Sequence, residues 1–121
     1  MKLLQSLRAI RDYMQLPPEA KAADRDDRRG HPRYDVDMER AIHLGIDWLG
    51  RAQDLSASRD GGAARHYSLI DGWSTSYPET TGYIIPTMLQ YAGTYNNEEA
   101  RSRAKRMLDW LVSIQFPDGA F

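Results

Sequence analysis

Two stretches of the chain, Asp47-Trp48-Leu49-Gly50-Arg51-Ala52-Gln53 and Asp109-Trp110-Leu111-Val112-Ser113-Ile114-Gln115, share the pattern D-W-L-x-x-x-Q at an offset of 62 residues. Each is followed by an Asp-Gly pair, Asp60-Gly61 after the first and Asp118-Gly119 after the second. Two of the three tryptophans fall in register, which chance explains poorly. Such a period marks a repeat architecture, in which one supersecondary unit buries its apolar face only against its neighbours. The unit reads as a helix ending in Gln and a glycine turn, then a long loop, then a more buried helix. That is an αα-hairpin, and hairpins at a fixed period stack into a solenoid or close into a ring. The expected fold class is therefore all-α. The second copy reaches Phe121 directly after its turn, about one and a half hairpins into the pattern. Repeat faces need about three neighbours to be buried, so the expectation is a fragment of a larger ring, or a core completed by self-association.

Periodicity organises the remainder. Leu3, Leu7, Ile10 and Met14 form one apolar stripe in residues 1–16, with Lys2, Arg8 and Arg11 off it. The expectation is an amphipathic helix docking that stripe on a protein core, a membrane-surface role being the alternative. Pro17 and Pro18 end it. Residues 19–35 mix both charges with almost no apolar content and read as a charged, solvated linker, which sets 1–35 apart from the hairpin repeats of 36–121. After Val36, Asp37 caps a helix with Ile42, Ile46, Leu49 and Ala52 inward and Trp48 beside them. Residues 54–76 read as a loop of a length that is often functional.

Ser76-Tyr77-Pro78-Glu79 reads as a capping box that opens a helix running to about Tyr95. Its apolar residues point nearly all round, the mark of a helix buried between neighbours. Pro86 inside it frees the Gly82 carbonyl and predicts a bend. Gly93 to Asn97 make the next turn. A last helix runs from about Asn97 to Gln115, with Ala104, Leu108, Leu111 and Ile114 inward.

Composition narrows the function classes. A net charge of −1 removes the electrostatic argument for a nucleic-acid partner. With no cysteine there is no disulfide framework, thiolate metal site or cysteine nucleophile. No run of about 18 apolar residues exists, so no transmembrane segment is expected, and without a signal-peptide core the default is a cytoplasmic chain. His31, His43 and His66 have no paired ligand spacing, so no metal is expected. No nucleotide-binding glycine pattern occurs, and no cofactor is implied.

Arg103 to Phe121, R-A-K-R-M-L-D-W-L-V-S-I-Q-F-P-D-G-A-F, resembles the Gln-Trp-type repeat of the terpenoid cyclase and protein prenyltransferase superfamily. There a helix ends in Gln, a glycine turn follows and an aromatic closes the motif. Phe121 stands where Trp is usual, and the first copy has Ala63 there. Gly72 to Thr87, G-W-S-T-S-Y-P-E-T-T-G-Y-I-I-P-T, resembles a stretch of bacterial toroid proteins of exopolysaccharide biosynthesis. The resemblance covers residues 36–121 and implies a partial α/α toroid. That architecture also serves polysaccharide lyases and uronyl epimerases. The implied function is a carbohydrate-active protein of bacterial polysaccharide biosynthesis, epimerase- or lyase-like when intact, acting on a carbohydrate or polysaccharide precursor. The alternatives are a terpenoid-cyclase-like enzyme and a non-catalytic repeat module that binds glycan or protein.

The stretch from His66 to Tyr83 concentrates the candidate chemistry. Sugar sites need aromatic faces for C–H-rich rings, and carboxylates and hydroxyls for hydrogen bonds; His66, Tyr67, Trp73, Tyr77, Glu79 and Tyr83 supply both within 18 residues. Tyr77 or Tyr83 would move a proton beside a neutralised uronate, with His66 as partner and Glu79 as acid/base, while Trp73 and Tyr67 bind substrate. Each has a plainer explanation: Glu79 belongs to the capping box, Tyr83 to the apolar helix, and Trp73 fills a gap between hairpins. Asp24-Arg25-Asp26-Asp27 matches the D-x-D-D acid of terpene cyclases in form, yet sits in the most charged stretch, where the burial such an acid needs is not expected. Asp47 and Asp109 recur with the repeat and read as structural, each within one turn of a basic residue, Arg51 or Lys105.

Overall fold

The computed structural model of the chain describes residues 2–30 and 37–120, and the side chains from residue 4 onward. His31, the end of the charged linker, the Val36 boundary and Phe121 lie outside the described residues, as does the side chain of Leu3 in the apolar stripe. The fold is all-α. Five helices occur among the described residues, α1 (Lys2–Gln15), α2 (Pro18–Arg29), α3 (Met38–Asp54), α4 (Pro78–Tyr95) and α5 (Glu98–Ile114). A two-stranded hairpin, β1 (Tyr67–Ser68) and β2 (Gly72–Trp73), interrupts the loop between α3 and α4. The chain divides into two units, residues 1–35 with 68–72, and residues 36–67 with 73–121.

In the first unit α1 ends ahead of the proline pair, as expected, but Leu7, Ile10 and Met14 of the expected stripe are exposed, as is the neighbouring Leu4. The stretch read as a linker is helical from Pro18 to Arg29. Local chemistry accounts for this. Pro18 sits at the first helical position, Glu19 in the first turn and Arg28 and Arg29 in the last, each matched to the helix dipole. Asp24 and Arg28 pair one turn apart at 3.0 Å. Low apolar content foretold exposure and said little about backbone conformation. Asp24, Asp26 and Asp27 accordingly lie on a helix with no buried residue.

The second unit holds the core: Ala63, Ile84, Ile85, Met88, Ala92, Ala100, Ala104 and Met107, with Ile46, Leu49, Tyr91 and Leu111 packed against it. Helices α4 and α5 pack together, and α3 sets Ile46 and Leu49 against that core while bonding to α4 through His43 and Tyr91 and to α5 through Asp54 and Arg103. Met88 and Met107 are wholly buried, so truncating either to Ala would cost about 2–5 kcal/mol. On α5 the inward set is Ala100, Ala104, Met107 and Trp110; Leu108, expected inward, is exposed. On α3 Ile42 is likewise exposed. Asp37 does cap α3, accepting from the Glu39 N–H at 3.3 Å, and Asn97 caps α5, accepting from the Ala100 N–H at 2.8 Å. Helix α4 ends at Tyr95, as expected, with Gly93 still within its last turn, and stops at Asn96 in the left-handed conformation. Asp109 pairs with Lys105 at 2.7 Å, whereas Arg51 lies over the Trp48 ring instead of pairing with Asp47.

The repeat is visible as a repeated contact. Gln53 Nε2 donates to the Gly61 carbonyl at 2.9 Å, and Gln115 Nε2 donates to the Gly119 carbonyl at 2.8 Å. In both turns the aspartate accepts an N–H two residues on, Asp60 from Gly62 at 3.2 Å and Asp118 from Ala120 at 3.1 Å. Gly61 and Gly119 both take positive φ, 104° and 88°, a region open to glycine at no steric cost. The two copies are then joined by α5. Its Arg103 guanidinium forks onto Asp54 at 2.8 Å through each terminal nitrogen and reaches the Gly50 carbonyl at 3.3 Å. The Trp110 ring lies on the first turn, where a Cβ on Gly62 would come within 2.6 Å of it.

That contact generates a paired prediction. Gly62→Ala should destabilise the fold by about 1–3 kcal/mol through overpacking. Gly45→Ala, in α3 with no atom within 4 Å of the added methyl, should stabilise it by about 0.4–1 kcal/mol. Urea unfolding of both variants measures the difference; equal shifts would remove Trp110 from its role as the seat of the turn.

Candidate functional site

The loop that delivers the candidate residues is tied at both ends to the repeat turn. The Ala64 N–H donates to the Ala52 carbonyl at 2.9 Å, and the Tyr77 N–H donates to the Ala63 carbonyl at 2.9 Å. Thr81, wholly buried, closes the arrangement: its hydroxyl accepts from the Ala63 N–H at 2.9 Å and donates to the Tyr77 carbonyl at 2.8 Å. These bonds set the start of α4 one residue later than the sequence suggests. Tyr77 is the N-cap residue, without a side-chain capping bond, and Pro78 is the first helical residue.

The capping box is therefore not formed. Ser76 turns its hydroxyl to Asp60 at 2.6 Å, while its N–H donates to the Ser58 hydroxyl at 2.9 Å. A competing partner in the neighbouring turn has taken the cap residue, which local sequence does not reveal. Glu79 is left exposed in the first turn of α4, with no hydrogen bond or ion pair among the described residues. Tyr83 departs from expectation in the same direction. It is 74% exposed, because α4 keeps Ile84, Ile85, Met88 and Ala92 on the core side and shows Tyr83 and Leu89 to solvent. The plainer explanations for Glu79 and Tyr83 thus fall away.

Tyr77, Pro78, Glu79 and Gly82 line a concavity of about 610 Å³ with Leu111 of α5. The Arg65 guanidinium lies over the Tyr77 ring, 4.8 Å from its centre. Arg65 was missed in the sequence; its signal, a cation in the loop facing an aromatic, needs the hairpin pairing to become visible. Around Tyr77, then, stand an aromatic ring, a free carboxylate and an exposed guanidinium. These are groups that hold a hydroxyl-rich or acidic ligand.

Tyr67 and Trp73 are brought together elsewhere, in a three-ring cluster with Trp48 of α3. Trp48 lies 4.7 Å from Trp73 and 6.0 Å from Tyr67, and Tyr67 lies 5.0 Å from Trp73. The rings meet edge-on or tilted, the packing aromatic quadrupoles favour. His66 is exposed; its backbone is held by Ser74, but no bond joins its ring to Tyr77, Glu79 or Tyr83. His43 is an interhelix residue, its Nδ1 hydrogen-bonded to the Tyr91 hydroxyl at 2.6 Å and its ring 4.8 Å from that of Tyr95. Comparison of the chain with models of protein families, with curated proteins and with solved structures finds no match.

Two carboxylates that hold this framework titrate low. Asp60 is partly desolvated, which alone would raise it, but bonds from Ser76, Gly62, Trp110 and Ser58 outweigh that and keep it below the usual carboxylate range. The Arg103 guanidinium lowers Asp54 in the same way. Each group then contributes stability that is present above the unfolded value of about 4 and is lost as pH falls through its folded value. Unfolding free energy should accordingly drop between about pH 5 and pH 2, and Asp60→Asn or Asp54→Asn should each flatten that slope. Denaturant titrations across the range provide the check; an unchanged slope in both variants would count against these carboxylates.

Proposed function

We propose that this chain binds a carbohydrate at the concavity around Tyr77 and Glu79, as part of an α/α-toroid protein acting on polysaccharide precursors. The observation that carries the reading is the Glu79 carboxylate: it faces a ligand-sized space and satisfies no group of the protein. A free carboxylate beside an aromatic ring suits a sugar, whose hydroxyls donate to the one while its C–H face lies on the other. Arg65 extends the reading to acidic sugars, since a guanidinium takes a carboxylate in bidentate fashion. The resemblance of Gly72 to Thr87 to toroid proteins of exopolysaccharide biosynthesis agrees with this ligand class.

Turnover of the epimerase or lyase kind would belong to the intact protein. A catalytic acid or base works within hydrogen-bond reach of the substrate proton it moves, and the side chains of Tyr77, Glu79, Tyr83 and His66 make no hydrogen bond to one another by which one would orient the next. Binding is therefore the reading put first for these residues.

The test is a titration of the chain with neutral and uronate oligosaccharides, followed by amide and side-chain NMR shifts. Shifts should gather at Tyr77, Glu79, Gly82 and Leu111, and Glu79→Gln should weaken binding at least about tenfold, some 1.4 kcal/mol, at an unchanged melting temperature. No shifts with either ligand, or shifts confined to Trp48, Tyr67 and Trp73, would overturn the site.

A further inference from the structure

Both copies of the repeat begin with Asp-Trp, yet the two aspartates meet different surroundings. In the second copy Asp109 pairs with Lys105 at 2.7 Å, and the Ser113 hydroxyl donates to the Trp110 carbonyl at 2.7 Å. Moving back 62 residues, Lys105 becomes His43, Asp109 becomes Asp47 and Ser113 becomes Arg51. His43 is engaged elsewhere, its Nδ1 hydrogen-bonded to the Tyr91 hydroxyl at 2.6 Å. Arg51 stands one turn past Asp47, the spacing at which an acid and a base on a helix pair. It lies instead over the Trp48 ring, 5.5 Å from its centre, and Trp48 is packed in turn against Trp73 at 4.7 Å. An exposed helical ion pair and an exposed cation–π contact are comparable in strength, so the ring is able to hold the guanidinium off the carboxylate. Among the described residues Asp47 has no hydrogen bond or ion pair, and Arg51 has no carboxylate partner.

The two unanswered charges line one concavity of about 270 Å³, formed by α3, Tyr91 of α4 and the start of α5. Its other charged groups are joined to one another: Asp54 and Glu99 both accept from Arg103, at 2.8 Å each. Asn97, on the same wall, caps α5 with its side-chain oxygen, and its amide nitrogen makes no hydrogen bond among the described residues. A simple anion in this space would be drawn to Arg51 and repelled by Asp47, and a simple cation would meet the reverse. A small ligand that carries both charges a few ångströms apart satisfies both at once. A guanidinium takes a carboxylate through two parallel N–H bonds, and a carboxylate accepts from an ammonium. Three carboxylates and two guanidiniums line the space, so a further positive charge on the ligand is favoured over a further negative one.

We propose that this concavity binds a free α-amino acid, with its carboxylate on Arg51 and its ammonium on Asp47, and that it prefers neutral and basic side chains to acidic ones. The ring cluster of Trp48, Tyr67 and Trp73 then has a part in the site, since it keeps the Arg51 guanidinium clear of Asp47 and open to the ligand. The Tyr77 and Glu79 concavity takes no part in it.

Amide and side-chain NMR of the whole chain tests the proposal, with L-alanine, L-lysine and L-glutamate as ligands and acetate and butylamine as the separated charges, all at one ionic strength. Alanine and lysine should give saturating shifts at Asp47, Gly50 and Arg51, and should bind at least about tenfold more tightly than acetate or butylamine. Glutamate should be the weakest of the three amino acids. Asp47→Asn and Arg51→Gln should each weaken alanine binding at least about tenfold, while Asp109→Asn in the second copy should leave it unaltered. Circular dichroism melts confirm that each variant remains folded, all three side chains being exposed. The proposal is overturned by an absence of saturating shifts with alanine and lysine, or by alanine binding no more tightly than acetate or butylamine. Glutamate binding more tightly than lysine, or an equal loss in all three variants, would overturn it as well. Shifts at Tyr77, Glu79, Gly82 and Leu111 report the sugar site separately, so neither result decides the other.

Discussion

The indole of Trp110 against the turn at Gly61 and Gly62 is the contact on which the rest of the second unit depends. The turn admits the ring because residue 62 has no side chain, and Asp60 in the same turn accepts from the Gly62 N–H at 3.2 Å and from the Ser76 hydroxyl at 2.6 Å. Ser76 and Tyr77 are thereby held beside Ala63, and Thr81 locks the first turn of α4 to the same strand of backbone. A side chain on the last helix thus sets where the inner helix begins. Glu79 is exposed and unbonded as a consequence, because the residue that would have formed its capping box is engaged by the turn.

Burying Gln53 in this junction is the other constraint. A buried amide must have both its donor and acceptor capacity met, or it costs about 1–3 kcal/mol. Gln53 Nε2 donates to the carbonyls of Gly61 and Arg103, and its Oε1 faces the guanidinium of Arg103 at 3.4 Å. Among the described residues no buried side-chain polar atom lacks a partner. Gln115 makes the corresponding bond to Gly119 while exposed. The turn is therefore a local structure, formed by the motif before any neighbour covers it.

Much of the framework was legible in residues. D-W-L-x-x-x-Q with its Asp-Gly pair announced a helix, a glutamine and a turn, and both copies form that unit with the same two bonds. Asp37, read as the cap of its helix, acts as one because its side chain reaches the N–H two positions on. The candidate site was legible as a list, and less so as an arrangement. Tyr77 and Glu79 share one concavity, Tyr67 and Trp73 join Trp48 instead, and Arg65 was not foreseen. Such groupings depend on a loop whose course is governed by bonds across 18 residues, Ser58 to Ser76 and Ala63 to Thr81.

Sequence alone determined the helical class, the repeat and its turn, and the absence of a long apolar span, since each follows from periodicity or from contacts within a few residues. Tertiary structure alone decided which face of each helix is covered. Leu108 and Met107 are adjacent and both apolar, yet Met107 is buried and Leu108 bare, because Arg103 and Trp110 fix the rotation of α5 against the first copy. Tertiary structure also decided that Ser76 serves Asp60 in place of α4, and that Glu79 stands free. A hydroxyl satisfies whichever partner the fold brings within reach, and here that partner lies 16 residues away.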